Sequence, residues 1–233
     1  MAPDRNDRKA ADRTGLIDAA RDLLTRYAPD GSARWLLVDV FAQRVALIRD
    51  GGIAASWPVS TATVGLDNRD GSHGTPPGVH AIDRKIGADA AFGTVFVSRR
   101  PTGEIWPGAA AHASSPDASS PDATPPDAVP PDAGSPGAAP RDATPPDAGS
   151  PDAGSPPCER DLILTRILTL RGLEPGVNLG PGIDSRERYI YLHGTDREDR
   201  IGSPASAGCI RLTSAAICEL FDQVEEGDPV VII

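Results

Sequence analysis

The chain has 233 residues, 24 glycines, 24 prolines and a formal charge of −10, so it is long enough to bury a core, and composition alone does not decide how many domains share it. The acidity is uneven: residues 114–157 hold seven Asp against one Arg, and no Lys/Arg cluster elsewhere offers a nucleic-acid surface. Three cysteines, Cys158, Cys209 and Cys218, are too few and too odd a set for a disulfide framework, and no HExxH or CxxC spacing points to a metal, so no cofactor is expected.

Met1 to Ala10 is polar, and no apolar run of signal-peptide or membrane-spanning length follows it. Neither a secretory leader nor a transmembrane segment is therefore expected from this reading. Residues 13–28 place Leu16, Ile17, Ala20, Leu23, Leu24 and Tyr27 at helical spacing between charged residues, which predicts an amphipathic helix. Its polar face mixes Arg and Asp, so packing on a folded domain is expected rather than membrane attachment. We take residues 1–32 as an N-terminal helical extension.

The period changes at Trp35. Trp35–Val40, Arg44–Arg49 and Ile53–Val59 are β-rich runs separated by turn chemistry, including Asp50-Gly51-Gly52, and predict a β-meander. Gly71 to Gly78, GSHGTPPG, is a loop, and Val79–Asp83 and Thr94–Ser98 predict two further strands. His73 in the loop and His80 in the strand have no ligand spacing, and both are expected to be structural.

Residues 114–157 repeat a five-residue unit of the SPDA and PPDA kind. Frequent Pro removes backbone donors and Asp repels Asp, so a disordered, extended segment is expected. The insertion as a whole is placed at 107–158, inside one domain that runs from 33 to 233. A strand at Leu162–Leu168 follows it.

The stretch from Tyr189 to Leu212 reads YIYLHGTDREDRIGSPASAGCIRL. A strand ending at His193-Gly194-Thr195 holds an imidazole rigidly, and a Ser206-Ala207-Gly208-Cys209 turn presents a thiol with backbone N–H groups beside it. These are a nucleophile, a base and a candidate oxyanion hole. A papain-like peptidase is disfavoured, because there the nucleophile precedes the histidine in the chain. Thr213 is a plausible N-cap for a helix to Val224, with Ile217, Leu220, Phe221 and Val224 on one face, and Val230–Ile233 predicts a last strand. Cys218 on that helix is expected to be a small packing residue.

His-Gly-Thr followed by Ser-x-Gly-Cys-Ile-Arg resembles the signature of the L,D-transpeptidases, the YkuD or ErfK/YbiS family. Upstream, the run from Trp35 and Thr75-Pro76-Pro77-Gly78 resemble its opening strands and its TPxG loop. The resemblance covers roughly 33–106 and 159–233, with Ala207 where the family often has His. It implies a mainly β (α+β) fold: a β-sandwich with a helix after the nucleophile, joined here by the N-terminal helix and the Pro/Asp/Ala insertion.

The resemblance also implies chemistry on peptidoglycan stem peptides through a Cys209 thioester. His193 would be the proton donor and acceptor, Gly194 the backbone carbonyl that orients it, and Gly208 a source of oxyanion N–H. Arg211, Ser206 and Thr195 would be substrate-binding residues, Arg211 with the alternative of pairing with an acidic loop residue and Ser206 with that of bracing the turn. The acceptor would be an amine, from diaminopimelate or a lipoprotein lysine; water would make the protein an L,D-carboxypeptidase, and a non-catalytic peptidoglycan-binding domain is the third reading. The family implies the cell envelope, which the polar N-terminus does not support, so the compartment stays open.

Overall fold

The structure, a computed structural model, describes residues 5–28, 33–109 and 161–233, with 5–14 as backbone only. The repeat tract, its expected disorder and Cys158 lie outside the described residues. Among those described are ten strands, two α-helices and one short 3-10 turn at Glu198–Arg200.

The helix α1 spans Arg5–Tyr27, starting earlier than the apolar spacing predicts. A helix can continue beyond its apolar stripe through good helix formers, which apolar spacing does not detect. The meander forms as expected, with β1 at Arg34–Asp39, β2 at Arg44–Arg49 and β3 at Gly52–Pro58. It is followed by β4 at Gly78–Ile86, β5 at Thr94–Val97 and β6 at Arg100–Ile105. After the tract come β7 at Ile163–Gly172, β8 at Tyr191–Gly194 and β9 at Ile210–Leu212. The helix α2 at Ser214–Gln223 and β10 at Pro229–Ile232 close the chain.

Strand β6 was not expected. Its sequence, RPTGEI, has no alternation and every residue is exposed, so hairpin geometry rather than burial specifies it. The turn into it, Ser98-Arg99, has φ of 48° and 66°, the doubly left-handed form that suits a two-residue hairpin. The short strand β9 escaped notice for a related reason: three residues are too few to show a period.

The hydrogen-bonded order is β3-β2-β1-β10-β4-β7-β5-β6, with β8 on β7 and β9 on β8. In β1, Leu36 and Val38 enter the main core while Trp35 and Leu37 face the other side; in β10, Val230 and Ile232 do the same against Val231. Both faces of these strands are buried, which is why they read as continuous apolar runs instead of alternating ones. The second face is covered by α1, whose Ala20 and Leu24 are buried against Trp35, Ile48 and Val79. The main core collects Leu192 of β8, Ile210 of β9 and Ile217, Leu220 and Phe221 of α2 together with β1, β2 and β10, so two halves of the sheet face each other as in a sandwich. Ser60, just after β3, exchanges backbone hydrogen bonds with Arg211 at 2.9 Å each way and joins the two halves beside the motif.

Thr213 caps α2, its hydroxyl accepting the Ala216 N–H at 3.1 Å. Before the tract, Ala109 is buried and its N–H donates to the Trp106 carbonyl, so packed chain continues through 109.

Candidate active site

Strands β8 and β9 run parallel with Leu192 opposite Ile210 and His193 opposite Arg211. One further step along this register sets Cys209 opposite Tyr191. Because side chains alternate, Leu192, Ile210 and Leu212 point into the core while Cys209, Tyr191, His193 and Arg211 share the other face. The thiol sits against Phe96, Ile167 and Tyr191 and is half-buried.

His193 is buried, and its Nδ1 lies 2.8 Å from the Gly194 carbonyl oxygen. A carbonyl only accepts, so Nδ1 carries the proton and Nε2 is left with its lone pair. Burial lowers the imidazole's affinity for a second proton, which the Asp161 charge and the Gly194 hydrogen bond partly restore. Burial also pushes the Cys209 thiol up to about 12, against which a Tyr191 N–H and the charges of Arg211 and Arg188 pull in the other direction. At neutral pH the imidazole is therefore neutral, and so is the Cys209 thiol. Its S–H donates to the Tyr189 carbonyl at 3.5 Å.

The turn that carries the thiol is stitched from both sides. Ser206 Oγ donates to the Cys209 carbonyl at 2.6 Å and accepts the Gly208 N–H at 3.2 Å. The Gly208 N–H is thus engaged within the turn in this state. Gly208 has φ of +130°, and a Cβ there would lie 3.2 Å from Ile190 and 3.3 Å from the Gly74 carbonyl, so only glycine fits without displacement. Thr75, from the TPPG loop, donates its hydroxyl to the Gly208 carbonyl and accepts the Ala62 N–H, both at 3.0 Å. Ala205 and Ser206 N–H both donate to the Thr61 carbonyl at 2.9 Å. The loop after β3 is thereby the floor on which the Cys209 turn rests.

Arg211 is buried and held by an acid: Nη1 donates to Asp161 at 2.8 Å and Nη2 to Ser60 Oγ at 2.8 Å, while Nε has no partner among the described residues. Thr195, fully buried, donates to the same Asp161 carboxylate at 2.8 Å. Of the three residues expected to bind substrate, Arg211 and Thr195 are thus engaged with Asp161 and Ser206 with its own turn. Ala207 is exposed.

Sequence reasoning missed Asp161, Thr75 and Arg188. The last is half-buried, with Nη1 on the Asp67 carbonyl at 3.0 Å and Nη2 on that of Gly74 at 2.8 Å. Thr75 stood within a noticed motif, but no short-range pattern announces the other two.

The profile of the YkuD family, described as the L,D-transpeptidase catalytic domain, matches residues 33–232. The chain belongs to that family. Its YkuD domain spans both sides of the repeat tract, with His193 and Cys209 in the matched region. Among solved structures, an L,D-transpeptidase from Mycobacterium smegmatis is 15% identical, over 86% of this chain and 58% of that one, with a TM-score of 0.41. An L,D-transpeptidase from Xylanimonas cellulosilytica is also 15% identical, over 89% and 63%, with a TM-score of 0.43. The complex of LdtMt1 with imipenem is 16% identical, over 86% and 59%, with a TM-score of 0.41. This chain therefore spans about three fifths of the length of those structures. No curated protein matches it significantly. Among the described residues no group of His, Cys, Asp and Glu is placed to hold a metal ion, and no helix is long and apolar enough to cross a membrane.

Proposed function

We propose that the protein is a cysteine-dependent L,D-transpeptidase that acts on peptidoglycan stem peptides. The observation that carries this reading is the Nδ1 to Gly194 hydrogen bond, which leaves the Nε2 lone pair of a buried, neutral imidazole on the face of the sheet that also bears Cys209. A thiol pushed up to about 12 is scarcely ionised at neutral pH, so it needs a base at the moment of attack.

In the reaction, Sγ of Cys209 bonds to the carbonyl carbon of the third residue of a stem tetrapeptide as its proton passes to Nε2 of His193. The tetrahedral intermediate holds its negative oxygen toward the backbone N–H groups of Cys209 and Gly208. The Gly208 donor must turn from Ser206 Oγ for this, a motion the glycine backbone allows. Collapse breaks the C–N bond to the terminal D-Ala, whose amine takes the proton from His193, and a thioester remains. An acceptor amine, from diaminopimelate or a lipoprotein lysine, then attacks the thioester carbon. His193 takes its proton and returns it to the departing sulfur.

Mass spectrometry of muropeptides incubated with the purified protein tests this. A 3→3 cross-linked dimer with release of D-Ala is expected. Release of D-Ala with tripeptide alone would replace the amine by water and make the protein a carboxypeptidase, and unchanged muropeptides would leave a binding domain.

A further inference from the structure

Residues 188–191 wrap the nucleophile. The Tyr189 carbonyl accepts the S–H, and Tyr189 reaches this position with φ of +56°, a conformation rare for a large side chain and retained where the surroundings enforce it. The preceding residue, Arg188, is anchored by the loop before β4: its guanidinium clasps the Asp67 and Gly74 carbonyls and touches Ser72 Oγ at 3.4 Å. The Gly74 oxygen is also the atom that lies 3.3 Å from where a Cβ on Gly208 would stand, so the guanidinium borders the nucleophile turn through a single shared carbonyl.

Among the described residues two cations, Arg211 and Arg188, favour the ionised sulfur through their charge, and their circumstances differ. Arg211 forms a close ion pair with Asp161. Arg188 makes no carboxylate ion pair among the described residues, because the Asp67 carboxylate is taken by Arg69 at 2.6 Å and Arg188 meets only the carbonyl of that residue. Carbonyl oxygens hold a guanidinium in place without neutralising it. Asp67 and Asp70 act on it from a distance, while Asp161, just before β7, and Arg211 of β9 act on the sulfur, and His193 shares the sheet face that bears Cys209. The small, exposed Ala207 contributes no charge.

We propose that Arg188 is the fixed positive charge that stabilises the sulfur of Cys209 when it becomes anionic, and that its two carbonyl contacts serve to aim it. This rests on Cys209 being the nucleophile, as in the function proposed above. It does not depend on which acceptor resolves the thioester.

The test compares wild type, Arg188→Gln and Arg188→Lys by the rate at which iodoacetamide, a neutral reagent, alkylates Cys209 between pH 7 and 10, located by peptide mapping. With the charge removed, the thiolate fraction drops, and Arg188→Gln should alkylate about tenfold more slowly at each pH. Arg188→Lys keeps the charge and should stay within about threefold of wild type. Equal rates for Gln and wild type would overturn the proposal, as would a Lys variant slowed as far as Gln, which would mean that the contacts matter and the charge does not. If Arg188→Gln does not fold, a folded Arg188→Lys protein still decides: a tenfold loss there removes the charge role. Alkylation reports on the thiol without any substrate. A slow Gln variant in a protein that leaves muropeptides untouched would thus sustain this inference while sinking the transpeptidase reading, and the reverse pattern would do the opposite.

Discussion

Cys209 and His193 carry opposite burdens from the same cause. Desolvation raises the thiol and lowers the imidazole, so at neutral pH neither is charged, and in the proposed reaction the proton moves during the attack rather than before it. Replacing His193 by Ala should therefore slow acylation by about 10²–10⁴-fold, the range of general acid–base catalysis. Cys209→Ala should abolish acylation, and Cys218→Ala should leave it unchanged. Acylation by a carbapenem-type β-lactam, followed by mass and by rate, checks all three. The pH dependence has a fixed sign: with the imidazole lowered from its usual 6.5, its base form persists into mild acid, so wild-type acylation should begin to fail only below that value. A loss of activity that begins above pH 7 on acidification would contradict this. Both residues are legible in the chain because one strand end and one glycine turn present them. Asp161 and Arg188 are not, since Arg211 meets Asp161 across 50 residues and Arg188 meets Asp67 across 121.

At the scale of the element, α1 is fastened to the sheet by a few apolar side chains. Leu24 is 1% exposed and lies against the face of β1 and β10 that carries Trp35, Leu37 and Val231. Leu24→Ala should cost about 2–5 kcal/mol, the range for emptying a buried leucine site, while Leu23, only half-buried, should cost less. Urea unfolding of the two variants checks the order, and equal losses would show that the helix is not held through Leu24. The helices were legible because their apolar residues recur at helical spacing and α2 has a capping threonine. The central strands were legible as apolar runs. Strand β6 was not: Pro101 and Gly103 lie within it, and only its pairing with β5 makes it a strand.

The whole molecule carries a pH response of its own through His80. This histidine is fully buried in β4, with Nδ1 3.0 Å from the Gly78 carbonyl and Nε2 2.9 Å from Ser185 Oγ. Burial lowers its pKa from 6.5 to about 4. Between these values the unfolded chain binds a proton that the folded chain refuses, so the stabilisation is complete above 6.5 and is lost as pH falls toward 4, by about 3 kcal/mol in total. His193 shifts in the same direction and adds to the slope. The melting temperature should fall from pH 6.5 to 4, and His80→Gln should flatten that fall; an unchanged slope in the variant would assign it to other groups. Read as a sequence, the chain already determined the meander, both helices and the Cys209 and His193 motif, because these depend on residue type at short spacing. Tertiary structure alone decided that Thr75 braces the Cys209 turn, that Asp161 holds Arg211 and Thr195, and that Arg188 clasps the Asp67 and Gly74 carbonyls. Each of those joins segments distant in the chain, and their proximity comes from strand register and loop closure, which no local pattern of residues encodes.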